Sequence, residues 1–284
     1  MKRGAKNYII LILVALALYG IYWLMAAVLG LSLFMILLTY AAIVAVFLHF
    51  NRKNSWAMRG NYFYITGNFA AARPFLEKAV AAGSKSPAAH IYLSLLILQD
   101  GRDTARAFKL LEDARKHCAT VLDERNLLTT LATCQWLDGQ RELAVKTLTD
   151  MRQTQEYTNA AALTTLGYMH IAQGDFDAAR EVTLAAIKDE ENYGAAWDNM
   201  GQICYQTGDM AGAKEHFTKA VSIRENLADA NFYLGLMAEA EGDADAAKEH
   251  FRMAAICTIS FYNAVTEEQI QEKYKQYHED SSDE

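Results

Sequence analysis

The chain has 284 residues, with 27 Lys and Arg against 34 Asp and Glu, two prolines, four cysteines and 52% hydrophobic residues; this composition excludes collagen-like, disulfide-stapled and disordered classes. Its net charge of −7 is unevenly distributed, because no Asp, Glu, Lys or Arg occurs from Asn7 to Asn51 and the residues beyond carry all 34 acids against 24 bases. Such an acidic remainder excludes a basic face for phosphates, so no nucleic acid partner is expected.

The first predicted elements fall in the charge-free run. At about 1.5 Å per residue, a helix of that length reaches roughly twice the ~30 Å hydrocarbon thickness, so the run reads as two spans. They cover about residues 8–29 and 33–50, with the turn at Gly30-Leu31-Ser32. Lys2, Arg3 and Lys6 precede the first span, and Arg52, Lys53 and Arg59 follow the second. This basic flanking places both termini, and all that follows, on the cytoplasmic side of the plasma membrane. Residues 1–52 are therefore expected to form a transmembrane hairpin integral to the lipid bilayer. A cleaved signal peptide is the competing reading, but its apolar core would run only about 7–15 residues. Cys118, Cys134, Cys204 and Cys257 form no CxxC pair, which fits a reducing compartment.

Beyond the apolar run the chain repeats itself. Gly67, Gly101, Gly139, Gly174, Gly208 and Gly242 recur at spacings of 34, 38, 35, 34 and 34 residues. Around them, Trp197, Met200, Gly201, Gly208, Ala213, Phe217 and Ala220 match Asn231, Leu234, Gly235, Gly242, Ala247, Phe251 and Ala254 without a gap. Leu163, Leu166, Gly167, Gly174, Ala179 and Ala186 fit the same frame, as do Trp56, Gly60, Gly67, Ala72, Leu76 and Ala79. This pattern resembles the tetratricopeptide repeat (TPR) family. The resemblance implies an all-α chain in which the transmembrane hairpin is followed by an α-solenoid of about six helical hairpins over 53–261. Its repeats start near 53, 87, 125, 160, 194 and 228, each with a helix A and a helix B. Two of the units are degenerate, with Ser94 and Ala132 in place of the small glycine.

Local chemistry supports these boundaries. Glycine at the fifteenth place, often followed by Asp or Asn, ends helix A and caps helix B. Ser86-Pro87 sets a cap before a proline at the first helical position. Pro74 falls inside a predicted B helix, where it removes a hydrogen bond or delays the start, and a local kink is expected. Residues 262–278, with Ile270, Tyr274 and Tyr277 at helical spacing, read as a C-terminal capping helix, and 279–284 as an acidic tail.

No spacing supplies a nucleophile, base and oxyanion site, so the chain is not read as an enzyme. His216 and His250 occupy matching places in duplicated Ala-Lys-Glu-His-Phe segments, zinc-ligand spacings are absent, and the glycines form no phosphate loop; no metal or cofactor is expected. The resemblance implies that helix A of each unit lines the concave surface. By position this nominates Asn61, Tyr64, Ile91, Leu95, Trp136, Thr164, Tyr168, Asp198, Gln202, Tyr205, Phe232 and Glu239 as partner-binding residues. Aromatic anchors and amides suit a peptide, and Asp198 and Glu239 favour a basic or amine-bearing segment. The family's terminal-carboxylate clamp needs paired Lys or Arg with Asn. Here those places hold Ala57, Ile91, Thr129, Thr164, Asp198 and Phe232, so such a clamp is not expected. The reading that follows is a membrane-anchored scaffold recruiting a protein or peptide partner, itself in or near the membrane, in its concave groove. The alternative is a regulator or assembly factor that contacts an integral membrane or envelope enzyme through the transmembrane helices.

Overall fold

Short polar caps, rather than long loops, set the helix boundaries along this chain. The computed structural model describes residues 17–28, 30, 32–154 and 158–278, and among them no strand occurs. Six helical hairpins follow one another: α1 (Leu33–Ile65) with α2 (Phe69–Ala81), α3 (Pro87–Gly101) with α4 (Thr104–Arg115), and α5 (Val121–Leu137) with α6 (Arg141–Arg152). They continue with α7 (Ala160–Gln173) and α8 (Phe176–Asp189), α9 (Gly194–Gln206) and α10 (Met210–Ile223), and α11 (Ala228–Glu241) and α12 (Ala244–Ile256). A final helix, α13 (Glu267–His278), packs on α12.

The turn between the helices of a pair repeats one device. Gly67, Gly139, Gly174, Gly208 and Gly242 all take left-handed backbone, with φ between 77° and 86°, which a residue without a Cβ adopts at no steric cost. The next residue then caps the B helix, as when Asn68, Asp175, Asp209 and Asp243 accept from the backbone N–H three residues on, at 2.9–3.1 Å. Two units depart from this. In the second, Gly101 is still helical and the left-handed residue is Arg102, at φ 50°; in the third, Gln140 makes no side-chain cap bond. Ser86 caps α3 through Ala89 N–H with Pro87 at the first helical position, as the sequence implies. Pro74 lies within α2 and does not delay its start, because Asn68 already nucleates the helix at Phe69.

Within a pair, small residues let the helices close. A Cβ added at Gly201 would lie 2.5 Å from the Phe217 ring, and one at Gly235 would lie 2.6 Å from that of Phe251. Both rings are fully buried, along with an alanine of every B helix: Ala72, Ala107, Ala144, Ala179, Ala213 and Ala247. Between units the A helices stand side by side, α1 on α3, α3 on α5, α7 on α9 and α9 on α11. Helices α5 and α7 meet through longer side chains, with the Trp136 and Tyr168 ring centroids 6.2 Å apart. At the far end, α13 buries Ile270, sets Tyr277 5.2 Å from Phe251, and places Lys273 Nζ 2.6 Å from Glu239.

At the other end the expected transmembrane hairpin of two spans is corrected. Residues 8–16 and 29 of the first span lie outside the described residues; what is described is helical at 17–23 and then a π-helical turn at Leu24–Val28. Residues 33–50 do not form an element of their own, because α1 continues through them into the first repeat, with a 62° bend between Phe34–Val46 and Asn51–Ile65. Among the described residues no single helix is long and apolar enough to cross a membrane. Hydropathy marks a boundary near residue 52, but Asn51-Arg52-Lys53 contains neither glycine nor proline, so nothing there stops the backbone. The acidic tail at 279–284 also lies outside the described residues, and α13 begins at Glu267 rather than at 262.

Candidate functional site: a channel lined by the A helices

The ten residues between α12 and α13 form no helix; they cross the row of A helices. Phe261 packs against the cluster that includes Ile91, Leu98, Leu127 and Cys134, as Leu95 also does. The Tyr262 hydroxyl exchanges a hydrogen bond with Thr133 of α5, and its ring stands 5.4 Å from that of Tyr168 on α7. Tyr168 in turn donates its hydroxyl to the Asn263 carbonyl at 3.3 Å. On α11, the Asp229 carboxylate accepts from Asn263 Nδ2 at 2.9 Å, Ala264 N at 2.7 Å and Val265 N at 3.2 Å. Since one short stretch touches α5, α7 and α11 together, those helices line a channel, and the chain's own residues 258–265 run through it.

Five of the twelve residues nominated from the sequence fall around this channel. Thr164, Tyr168, Asp198 and Gln202 are brought together beside the crossing segment, Trp136 lies next to them, and Ile91 and Leu95 belong to or border the apolar cluster against which Phe261 also packs. Others are engaged elsewhere. Asn61 reaches Ser86 at 3.5 Å, and Tyr64 stacks on Tyr92 at 4.2 Å, at the first two units. Tyr205 packs on Tyr233 at 4.7 Å and Phe232 on Phe251 at 5.7 Å, both within the hydrophobic core, and Glu239 is held by Lys273 of α13. Thr133, Asp229, Tyr262 and Asn263 were not nominated.

Burial sets the electrostatics. Gln202 Nε2 donates to Asp198 Oδ2 and Asp229 Oδ2 at 3.1 Å each, linking two buried carboxyls. Burial, followed by the charge of Asp229, holds Asp198 well above the usual carboxylate range. Burial also raises Asp229, while the N–H groups of Ala264, Asn263 and Val265 pull the other way. Tyr262 is pushed up to about 12 by burial, and Tyr168 is raised by burial and then by Asp229.

The segment divides the remaining space. On one side lies a cavity of about 240 Å³ bounded by Thr164, Asp198 and Asp229; on the other, one of about 530 Å³ is bounded by Trp136, Arg102 and Arg141. The Arg141 guanidinium stands 5.2 Å over the Trp136 ring. Chemically, the channel holds a turn-containing segment of polypeptide by reading backbone N–H groups with a carboxylate and by seating aromatic side chains. Among the described residues, no three His, Cys, Asp or Glu side chains are grouped to hold a metal ion.

Comparison with known proteins agrees with this architecture. The family model described as tetratricopeptide repeat matches residues 57–120 and 164–227. No curated protein sequence matches. Among solved structures, PilW, described as a widely conserved type IV pilus biogenesis factor, is similar over 70% of this chain and 90% of its own, with TM-score 0.54 and 18% identity. The pilF protein of Pseudomonas aeruginosa is similar over 80% of this chain and 97% of its own, with TM-score 0.53 and 15% identity. The anaphase-promoting-complex hetero-tetramer Cut9–Hcn1 gives TM-score 0.58 at 17% identity, over 80% of this chain and 43% of that one. At these identities the likeness is one of fold.

Proposed function

We propose, on the premise that this chain carries tetratricopeptide repeats over residues 57–120 and 164–227, that it is a non-enzymatic protein-interaction scaffold held at a membrane by its apolar N-terminal segment. The observation that carries the scaffold reading is the channel itself, which already binds a non-helical, turn-containing segment of polypeptide, residues 258–265, through Asp229, Tyr168 and Thr133. A protein partner uses the same row of A helices, either alongside that segment or in its place.

Membrane attachment is supported by apolar side chains left uncovered on α1: Phe34, Leu37 and Leu38 are 71%, 60% and 56% exposed. A run of this kind is stable in water only when something apolar covers it. Near a membrane, a modest affinity for a membrane-associated partner suffices, because anchoring raises the effective concentration. In this proposal the repeats lie on the cytoplasmic side.

The test uses the full chain carrying a photocrosslinking residue at Ala161 or Ala195, which border the channel, or at exposed Lys188 as a control. Crosslinks confined to the two channel positions support the reading, and equal crosslinking from Lys188 ends it. A second reading, favoured by the exposed Tyr19 and Trp23, has the N-terminal segment contact an integral membrane enzyme directly. It predicts that the partner is lost on deleting residues 1–50, whereas a scaffold keeps it.

A further inference from the structure

The cavity of about 240 Å³ between α7, α9 and α11 is roofed by the crossing segment but not filled by it. Two side chains on its wall, Thr164 and Asp198, are each 8% exposed. Neither Thr164 Oγ1 nor Asp198 Oδ1 has a hydrogen-bond partner. Buried acceptors without donors are costly, and natural proteins retain few of them.

The asymmetry between the two linked acids identifies what is missing. Asp229 is saturated by donors, with Asn263 Nδ2, two backbone N–H groups and the Gln202 amide around it. Asp198 receives only the Gln202 amide, and Gln202 Oε1 is also unpartnered. Among the described residues, no Lys or Arg forms an ion pair with either acid. Arg224, which borders the same cavity, directs its Nε to Asn226 at 2.9 Å. Asp198 thus keeps one buried acceptor without a donor, on a wall that also carries Arg224 and the hydroxyls of Tyr193 and Ser260.

Those features select the ligand. An anion gains no donor from Asp198 or Asp229, and an apolar group leaves the acceptors dry. The volume lies below the ~300–1,000 Å³ of sites for drug-sized ligands, so it suits one side chain rather than a whole small molecule. A group that is cationic and only donates, on a slender apolar stem, matches every requirement.

We propose that this cavity is a subsite for a primary ammonium or guanidinium group, the Lys or Arg side chain of a protein partner, with Asp198 Oδ1 as its charge partner and Thr164 Oγ1 as a second acceptor. The proposal deepens the scaffold reading and rests on it, since it defines the chemistry of one residue of the channel's occupant. Gln202 is a positioning residue that fixes the Asp198 carboxyl through Oδ2. The other groups near Asp198 are Asp229, Tyr233 and, across the cavity, Tyr168, Tyr193, Tyr262 and Arg224.

The experiment is calorimetric titration of the full chain in detergent with a blocked Ala-Ala-Lys-Ala-Ala peptide, its Nε-acetyl form, n-butylammonium and neutral 1-pentanol. Saturable binding of the lysine peptide is expected, tighter than that of n-butylammonium and lost on acetylation, with none for pentanol. Asp198→Asn should weaken peptide binding about tenfold or more and Thr164→Val about threefold, as for loss of a charge-assisted and a neutral hydrogen bond. Both are near-isosteric, and unchanged circular dichroism together with retained Phe261 packing, read by proteolysis, separates binding loss from misfolding. Equal binding of the acetylated peptide, or no saturable binding because the cavity holds only water, overturns the proposal. Tighter binding of free butylammonium than of the peptide also overturns it, as the mark of a small-amine site. Channel crosslinks from Ala161 persisting alongside absent lysine binding would show that the subsite is wrong while the scaffold reading stands.

Discussion

Asp198 and Asp229 lie on neighbouring A helices and share one glutamine amide, yet their solvation differs. Asp229 is surrounded by N–H donors from residues 263–265, whereas Asp198 faces a cavity with one oxygen unpaired. A carboxyl whose pKa is raised on folding binds its proton more tightly in the native state, so stability falls as pH rises from the unfolded value, near 3.8, through the folded one. Asp198→Asn should abolish that decline and raise stability at pH 7 by about 1 kcal/mol or more, measured by denaturant melts across pH. That is the trade expected of a binding residue held at a cost to the fold. Asp229→Ala should do the opposite. It strands several donors, costing about 3 kcal/mol, and exposes the amides of 258–265 to hydrogen exchange. On the acid side, His170 and His250 are both held neutral mainly by burial, which depresses their pKa. Their contribution is complete above about pH 6.5 and is lost as pH falls through the depressed values.

At the level of the helix, the unit of design is the turn joining A to B. Where it reads Gly-Asp or Gly-Asn, the left-handed residue and the cap coincide with the residues best suited to each. Where it does not, stability is left unclaimed. Arg102→Gly and Gln140→Asp should each stabilise the chain by about 1 kcal/mol, additively because they serve different hairpins, as thermal melts of the double variant would show. The helix-packing glycines behave in the reverse sense. Gly235→Ala gains helix propensity but drives a methyl to 2.6 Å from the Phe251 ring, and a net loss of roughly 1–2 kcal/mol is expected. These elements were legible beforehand because their causes are local. Asn68 caps α2 and Ser86 caps α3 through atoms three residues away. The continuity of α1 through residue 52 is local in the same way, since only a few residues without a stop signal separate the apolar run from Trp56.

At the scale of the whole molecule, several A helices line a channel crossed by the chain's own residues 258–265, and the apolar start of α1 is left as an uncovered handle. Removing residues 1–50 should release the protein from carbonate-washed membranes while leaving the far-UV spectrum per residue of the repeats unchanged. Full retention on membranes would place the attachment in the repeats instead. Periodicity and glycine spacing, read along the sequence alone, determined the repeat architecture, because each hairpin is specified by contacts within about 34 residues. The sequence also put Thr164, Tyr168, Asp198 and Gln202 on channel-facing helices, since the position within a repeat fixes the face. The tertiary structure alone decided what occupies that face. Tyr262 meets Thr133 across 129 residues of chain, and Asp229 gathers N–H groups from 34 to 36 residues away. Such pairings carry no periodic signature, because they follow from how far the superhelix has turned by the time its last repeat ends.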